Sequence, residues 1–270
     1  MTRPAAAPRP RRRVWALLAV AVAIAAVWML LSASGAHAAT DPTPAPDPGE
    51  GVTINGINGS PSDSIVVLLG ITVLSVAPAL LLMMSSFTKI FVVLALTRNA
   101  LSLPSIPPNQ VLAGLSLFLT LFIMWPVLTD INTVAVTPYI DGAIDFGRAF
   151  DLAQDPLRQW MLAYTREEDI ALMHRAAQIE NPTDPSTIPL HTLVPAFMLS
   201  ELRAAFLIGF VIFVPFLVID LVVASALMSM GMMMLPPVMI SLPFKILLFL
   251  LVDGWALVIT ALIQSYGGGG

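Results

Sequence analysis

From Phe197 to Pro237 the chain reads FMLSELRAAFLIGFVIFVPFLVIDLVVASALMSMGMMMLPP, and no other stretch restricts the possible folds as much. Between Ala204 and Leu235 the only charge is Asp220. Those residues as a straight helix would reach roughly 48 Å, well beyond a bilayer core of about 30 Å. The stretch is therefore not one simple span. Pro215 removes a helix donor, Gly209 and Gly231 permit bends, and Pro236-Pro237 cannot continue a helix, which predicts an irregular turn over Met228 to Leu235.

That turn holds Met228, Met230, Met232, Met233 and Met234, and Met239 follows, so six of the fourteen methionines fall within twelve residues. Thioether side chains are unbranched and polarizable and repack around neighbours of different shape. Composition alone favours the plainer of two readings, in which methionine fills an irregular gap inside a membrane-buried fold. The other reading is a surface that closes on itself and on varied partners.

The chain as a whole agrees with a polytopic membrane protein: 57% hydrophobic, 11% charged, mean hydropathy +0.85. Met1 to Ala38 reads as a secretory signal, with Arg9, Arg11, Arg12 and Arg13 before an apolar run Val14–Leu31 and a small-x-small site at Ala36-His37-Ala38. Its removal takes five of the 13 basic residues and leaves eight against 17 acidic ones, a net charge of −9. Such a chain has no electrostatic affinity for nucleic acid. With no cysteine, it has neither disulfides nor thiolate chemistry.

In order, residues 39–64 read as a flexible exported tail. Residues 65–128 read as a first helical hairpin: Ile65 to Met84 with a kink at Pro78, an extension through Ile90 to Leu96, a rigid turn at Pro104, Pro107 and Pro108, and a return helix Val111–Leu128. Parity puts the hairpin tip, with Lys89 and Arg98, in the cytoplasm. Residues 129–190 form an exported helical insert. Thr129 to Thr187 holds ten acidic and four basic residues, with a helix N-cap expected at Asp155-Pro156 and a capping box at Thr165 to Glu168 opening a helix to about Ile179. Residues 191–265 form a second helical hairpin around the Met-rich turn, its return arm divided at Asp253. Residues 266–270 read as a flexible tail. The fold class is an all-α membrane protein of two long kinked hairpins and a small insert.

No enzyme motif is present: His174 and His191 stand apart without an HExxH pair, and there is no Walker loop, GxSxG elbow or metal-ligand spacing. A single histidine in a polar insert is expected to be solvated, and neither a catalytic residue, a metal nor a cofactor is expected. The informative charges stand in apolar sequence: Lys89, Glu201, Arg203, Asp220, Lys245 and Asp253. An unpaired charge in lipid costs at least about 2.5 kcal/mol, so each is expected in an ion pair between helices. The alternative is an ion or proton path through Asp220 and Asp253, as in a channel or transporter subunit.

Phe197–Gly209 (FMLSELRAAFLIG), Pro215-Phe216-Leu217, Ile219-Asp220-Leu221, Met228–Pro237, Leu242-Pro243-Phe244-Lys245, Val252-Asp253-Gly254-Trp255, Ser85-Ser86-Phe87-Thr88-Lys89 and Arg98-Asn99-Ala100-Leu101 together resemble the FliP family of flagellar type III export gate subunits. The resemblance covers most of Ile65 to Ser265. It implies a core membrane subunit of the flagellar basal body in the bacterial inner membrane, with several copies winding into a helical, cone-like assembly with FliQ and FliR. It also implies that the turn, with Met228, Met230, Gly231, Met232, Met233 and Met234, lines a constriction for unfolded export substrates. On this footing the methionines are a gate, which reverses the plainer reading.

Overall fold

The computed structural model describes residues 61–180, 184–232 and 234–267; the expected signal Met1–Ala38, residues 39–60 of the expected tail, and Met233 lie outside the described residues. Among the described residues every regular element is helical. The first hairpin contains α1 (Pro61–Met83), α2 (Phe87–Ala100) and α3 (Asn109–Ile123), which continues as α4 (Trp125–Ile131), one turn of π-helix at Asn132–Val136 and α5 (Thr137–Ile140). The insert holds α6 (Phe146–Tyr164) and α7 (Glu167–Ala177). The second hairpin is α8 (Leu190–Ser229), then α9 (Pro237–Leu251) and α10 (Gly254–Gln264).

α1 begins at Pro61, inside the stretch expected to be tail. The expected continuous extension into Ile90–Leu96 is interrupted: α1 and α2 meet at Met84–Ser86 with a bend of 62°. Ser85 causes the break. Its hydroxyl donates to the Leu82 carbonyl at 2.8 Å and accepts from the Phe87 amide at 3.3 Å, offering the backbone a local alternative to the helix ladder. The tip is held by Arg98, which donates through Nη1 to the Pro107 carbonyl at 3.1 Å and to Asn109 Oδ1 at 2.7 Å. The return arm bends by 59° after Ile123, and the final arm by 62° at Val252–Asp253. Asp253 there takes φ 50°, a left-handed geometry that Asp tolerates better than most residues.

α8 is one unbroken helix of 40 residues, about 60 Å at 1.5 Å per residue. Pro195 and Pro215 lie inside it and do not end it. It is the one described helix long and apolar enough to cross a membrane by itself, and each bent pair could supply one further span. Its buried residues Thr192, Leu193, Ala196, Phe197, Ser200, Glu201, Ala205, Gly209 and Phe216 recur every three to four positions and form one stripe. Against it packs the buried face of α2: Lys89, Ile90, Val93, Leu94, Thr97 and Ala100. Gly209 lets the backbones approach, since a Cβ there would stand 2.3 Å from Leu96 Cδ1. Gly209 therefore serves contact, where a bend was expected. Three buried hydroxyls bond within their own helices: Thr97 to the Val93 carbonyl, Ser116 to Leu112 and Thr120 to Ser116.

The insert helices differ from the sequence reading at both starts. α6 opens at Phe146 with Asp145 as N-cap, its carboxylate accepting from the Arg148 amide at 2.7 Å, and Pro156 sits in mid-helix. The capping box at Thr165 does not form: the Thr165 hydroxyl turns back to the Met161 carbonyl, and the Arg166 amide is satisfied by Ser200 Oγ of α8 at 3.0 Å. α7 ends at Ala177, two residues before the expected Ile179. Tyr266, expected in a flexible tail, is buried in the main apolar core with Ile90, Trp160, Phe197 and Leu262.

Replacing Gly209 with Ala is expected to destabilise the chain by about 1–3 kcal/mol through overpacking against Leu96. Gly114→Ala, with open space around its Cβ, is expected to be neutral or to stabilise by up to about 1 kcal/mol. Unfolding of the two variants in detergent checks both; equal stability would exclude the close approach.

Candidate functional site

The second hairpin turns over through two sequence devices. Gly231 takes φ 74°, and behind it the Gly231 amide donates to the Met228 carbonyl at 3.0 Å and the Met232 amide to the Leu227 carbonyl at 3.0 Å. This is the paired bond pattern of a Schellman C-cap with glycine in the left-handed position, so α8 stops where its last carbonyls are satisfied. On the far side Pro236 and Pro237 start α9, where a missing amide costs nothing. The methionines lie between these stops and on the first turns flanking them. Met228, Met230, Met232, Met234 and Met239 are all exposed, Met234 at 97%. None of these five fills a gap inside its own chain, and Met233 lies outside the described residues.

Below the turn the two arms are tied. Asp220 of α8 accepts from Lys245 Nζ at 2.6 Å and from the Ser241 hydroxyl at 2.5 Å, both on α9. Lys245 is buried and reaches the first hairpin as well, donating to Ser102 Oγ at 2.8 Å and to the Ala100 carbonyl at 3.4 Å. Ser102 holds a left-handed backbone (φ 59°) just past the end of α2. One ammonium group thus joins α8, α9 and the tip of the first hairpin.

A second pair, Lys89 of α2 with Glu201 of α8 at 3.1 Å, has both side chains at 3% exposure or less. The third charge on α8, Arg203, reaches Asp169 Oδ1 of α7 at 3.0 Å and Glu168 at 3.6 Å. Glu168 is largely exposed, so that arm contributes little. Asp169 is buried and also accepts from the Ser200 hydroxyl at 2.6 Å, which fastens α7 to α8. Asp253 enters no ion pair among the described residues; it is exposed at the α9–α10 junction, where its left-handed backbone accounts for the residue type.

Sequence reasoning missed Asp169 and Tyr266. A signal for Asp169 was present, since it shares one face of α7 with Ile170 and Met173. His174, expected at the surface, is buried on that same side, with Nδ1 at 2.9 Å from the Ile170 carbonyl. Among the described residues no three His, Asp or Glu side chains are grouped to hold a metal ion.

Comparison with known proteins matches the FliP family model over residues 70–262. The chain is 55% identical over 205 residues to flagellar biosynthetic protein FliP of Bacillus subtilis, covering 76% of this chain and 93% of that protein. It is 52% identical over 203 residues to the protein of that name from Pectobacterium carotovorum, covering 75% and 79%. Against the protein of that name from Caulobacter vibrioides it is 48% identical over 223 residues, covering 81% and 84%.

Asp220→Asn or Lys245→Met alone is expected to cost about 3–5 kcal/mol by stranding the other charge, while the double change Asp220→Leu with Lys245→Met recovers most of that loss. Thermal unfolding of the three variants reads the coupling. Additive losses would show that the pair does not act as a unit.

Proposed function

This chain belongs to the FliP family, and from that premise we propose that it is a core subunit of the flagellar type III protein export gate in the bacterial cell membrane. Several copies assemble with FliQ-like and FliR-like subunits, and the turn around Gly231 closes the conduit through which unfolded flagellar proteins leave the cell. The observation that carries this reading is the set of exposed methionines on a turn whose two ends are fixed by a glycine cap and a proline pair.

The mechanism follows from side-chain chemistry. Met228, Met230, Met232 and Met234 present flexible apolar groups at the apex of a hairpin. Met233 belongs to the same segment of sequence. Repeated around an axis by successive copies, such side chains form a narrow apolar constriction that water and ions do not cross. When a polypeptide enters, thioethers repack around each passing side chain, whatever its size, because their rotamers interconvert at little cost. Gly231 turns the chain at the apex, and the Asp220–Lys245–Ser241 tie keeps the arms beneath it from separating. The six charges set in apolar sequence act as structure: Lys89, Glu201, Arg203, Asp220 and Lys245 through ion pairs, Asp253 through its backbone at a helix junction.

An ion or proton channel built on Asp220 and Asp253 is supported less well. Asp220 is already engaged by a lysine and a serine, and Asp253 lies beyond the far end of α9. A relay needs a chain of titratable groups between the two.

Serine at Met230, Met232 and Met234 together is expected to leave the complex assembled and to raise the ion conductance of bilayers containing it. Bilayer recordings on the reconstituted complex, with and without the substitutions, decide the matter. Identical conductance removes the seal from the mechanism.

A further inference from the structure

The last described turn of the chain carries Tyr266, a side chain with no distinguishing pattern around it in the sequence. After α10 the Tyr266 amide donates to the Ile263 carbonyl at 3.1 Å and the Gly267 amide to the Gln264 carbonyl at 3.0 Å, a tight turn that drives Tyr266 inward. Its ring lies over the Lys89 ammonium, 3.6 Å from Nζ to the centroid, and its hydroxyl donates to Glu201. The same ring stacks on Trp160 at 5.4 Å and 20° and meets Tyr164 edge-on at 5.0 Å and 73°. The Tyr266 carbonyl accepts from the Tyr164 hydroxyl at 2.5 Å.

Trp160 and Tyr164 belong to the C-terminal end of α6, Lys89 to α2 and Glu201 to α8. One residue therefore bonds the insert to both hairpins at once. Ring over cation, hydroxyl on carboxylate and carbonyl on phenol are three different interactions, and all three need the C-terminal turn closed. α7 is held elsewhere, by Asp169 on Ser200 and Arg203.

We propose that Tyr266 is a clasp: the C-terminal turn closes over the buried Lys89–Glu201 pair and fastens the C-terminal end of α6 to both hairpins, independently of the fastening of α7. The two insert helices are then separately releasable. The C-terminal end of α6 loosens when the clasp opens, while α7 stays on α8. Closing the clasp also requires the turn that follows α10, so the insert docks fully only after both hairpins have been synthesised. The two phenols suit this role. Burial, and after it the negative charge of Glu201, push both hydroxyls above the ordinary tyrosine range, so both keep the protons they donate.

Hydrogen exchange of the purified full chain tests the proposal, comparing Tyr266→Ala with the unaltered chain. The expected result is exchange roughly tenfold faster or more in the C-terminal half of Phe146–Tyr164, the size of losing a hydrogen bond to a charged group, with Glu167–Ala177 unchanged. Because the chain has no native cysteine, spin labels at Ala163→Cys and Gly267→Cys give an independent reading: a narrow distance distribution that broadens with Tyr266→Ala. Unaltered exchange in α6, or equal loosening of α6 and α7, would overturn the clasp. If the alanine variant does not accumulate, Tyr266→Phe carries the same test. It keeps the ring over Lys89 and gives up the bond to Glu201, so faster exchange in α6 alone supports the proposal and no change overturns it.

Discussion

The described helices are arranged around the contact of α2 with α8. Both helices are apolar on nearly every face, so hydrophobicity gives no preference for which faces meet; in lipid the outward faces are as well solvated as the inward ones. Close approach and polar pairing decide instead. Gly209 admits Leu96, Ala196 and Ala205 keep the α8 stripe narrow, and Lys89 finds Glu201 on the facing helix. The ion pair is a poor source of net stability, because burying two charges costs about what their attraction returns. Its value is directional: rotating either helix by one residue strands two charges in an apolar core. A contact that dispersion alone would leave degenerate becomes single-valued.

The same reasoning explains what could be read from sequence. The ends of α2 and α8 and the start of α9 were legible because prolines and glycines interrupt long apolar runs at Pro104–Pro108, Gly231 and Pro236-Pro237. The division of the final arm at Asp253 was legible for the same reason, a charge between two apolar runs. The interiors were not. Pro215 looks like a break in α8 and Pro156 like a start in α6, yet both are absorbed mid-helix, since neighbouring packing outweighs one missing amide bond. Gly209 looks like a hinge and is a contact. In each case the local signal was sound and a tertiary partner overrode it.

The insert shows a different limit. Its two helix starts were misplaced because the groups that cap them are not where a short pattern looks. Asp145 lies ten residues before the Asp-Pro pair, and the α7 start is capped by Ser200, 34 residues away on another helix. Asp169 and His174 stood on the apolar face of a short helix surrounded by charge, and an acidic composition hid them. Tyr266 had no local signal at all. An aromatic followed by four glycines reads as a chain end, and its burial depends on Trp160, Tyr164, Lys89 and Glu201 arriving from three other elements.

The Met-rich turn separates two properties that are often treated as one. Its backbone is strongly determined: a left-handed glycine, two i→i−3 and i→i−5 bonds and two consecutive prolines leave little freedom in where α8 stops and α9 starts. Its side chains are the least determined of the apolar residues, with three rotatable bonds and no branch, and those described are exposed. Leucine at these positions would bring comparable hydrophobicity with fewer rotamers and a fixed shape. Valine or isoleucine would stiffen χ1 and disfavour the turn. A rigid frame presenting adaptable side chains keeps an apolar surface at a fixed place while leaving its contour free. That combination suits a closure that must accept chains of unlike sequence without opening wider than each requires.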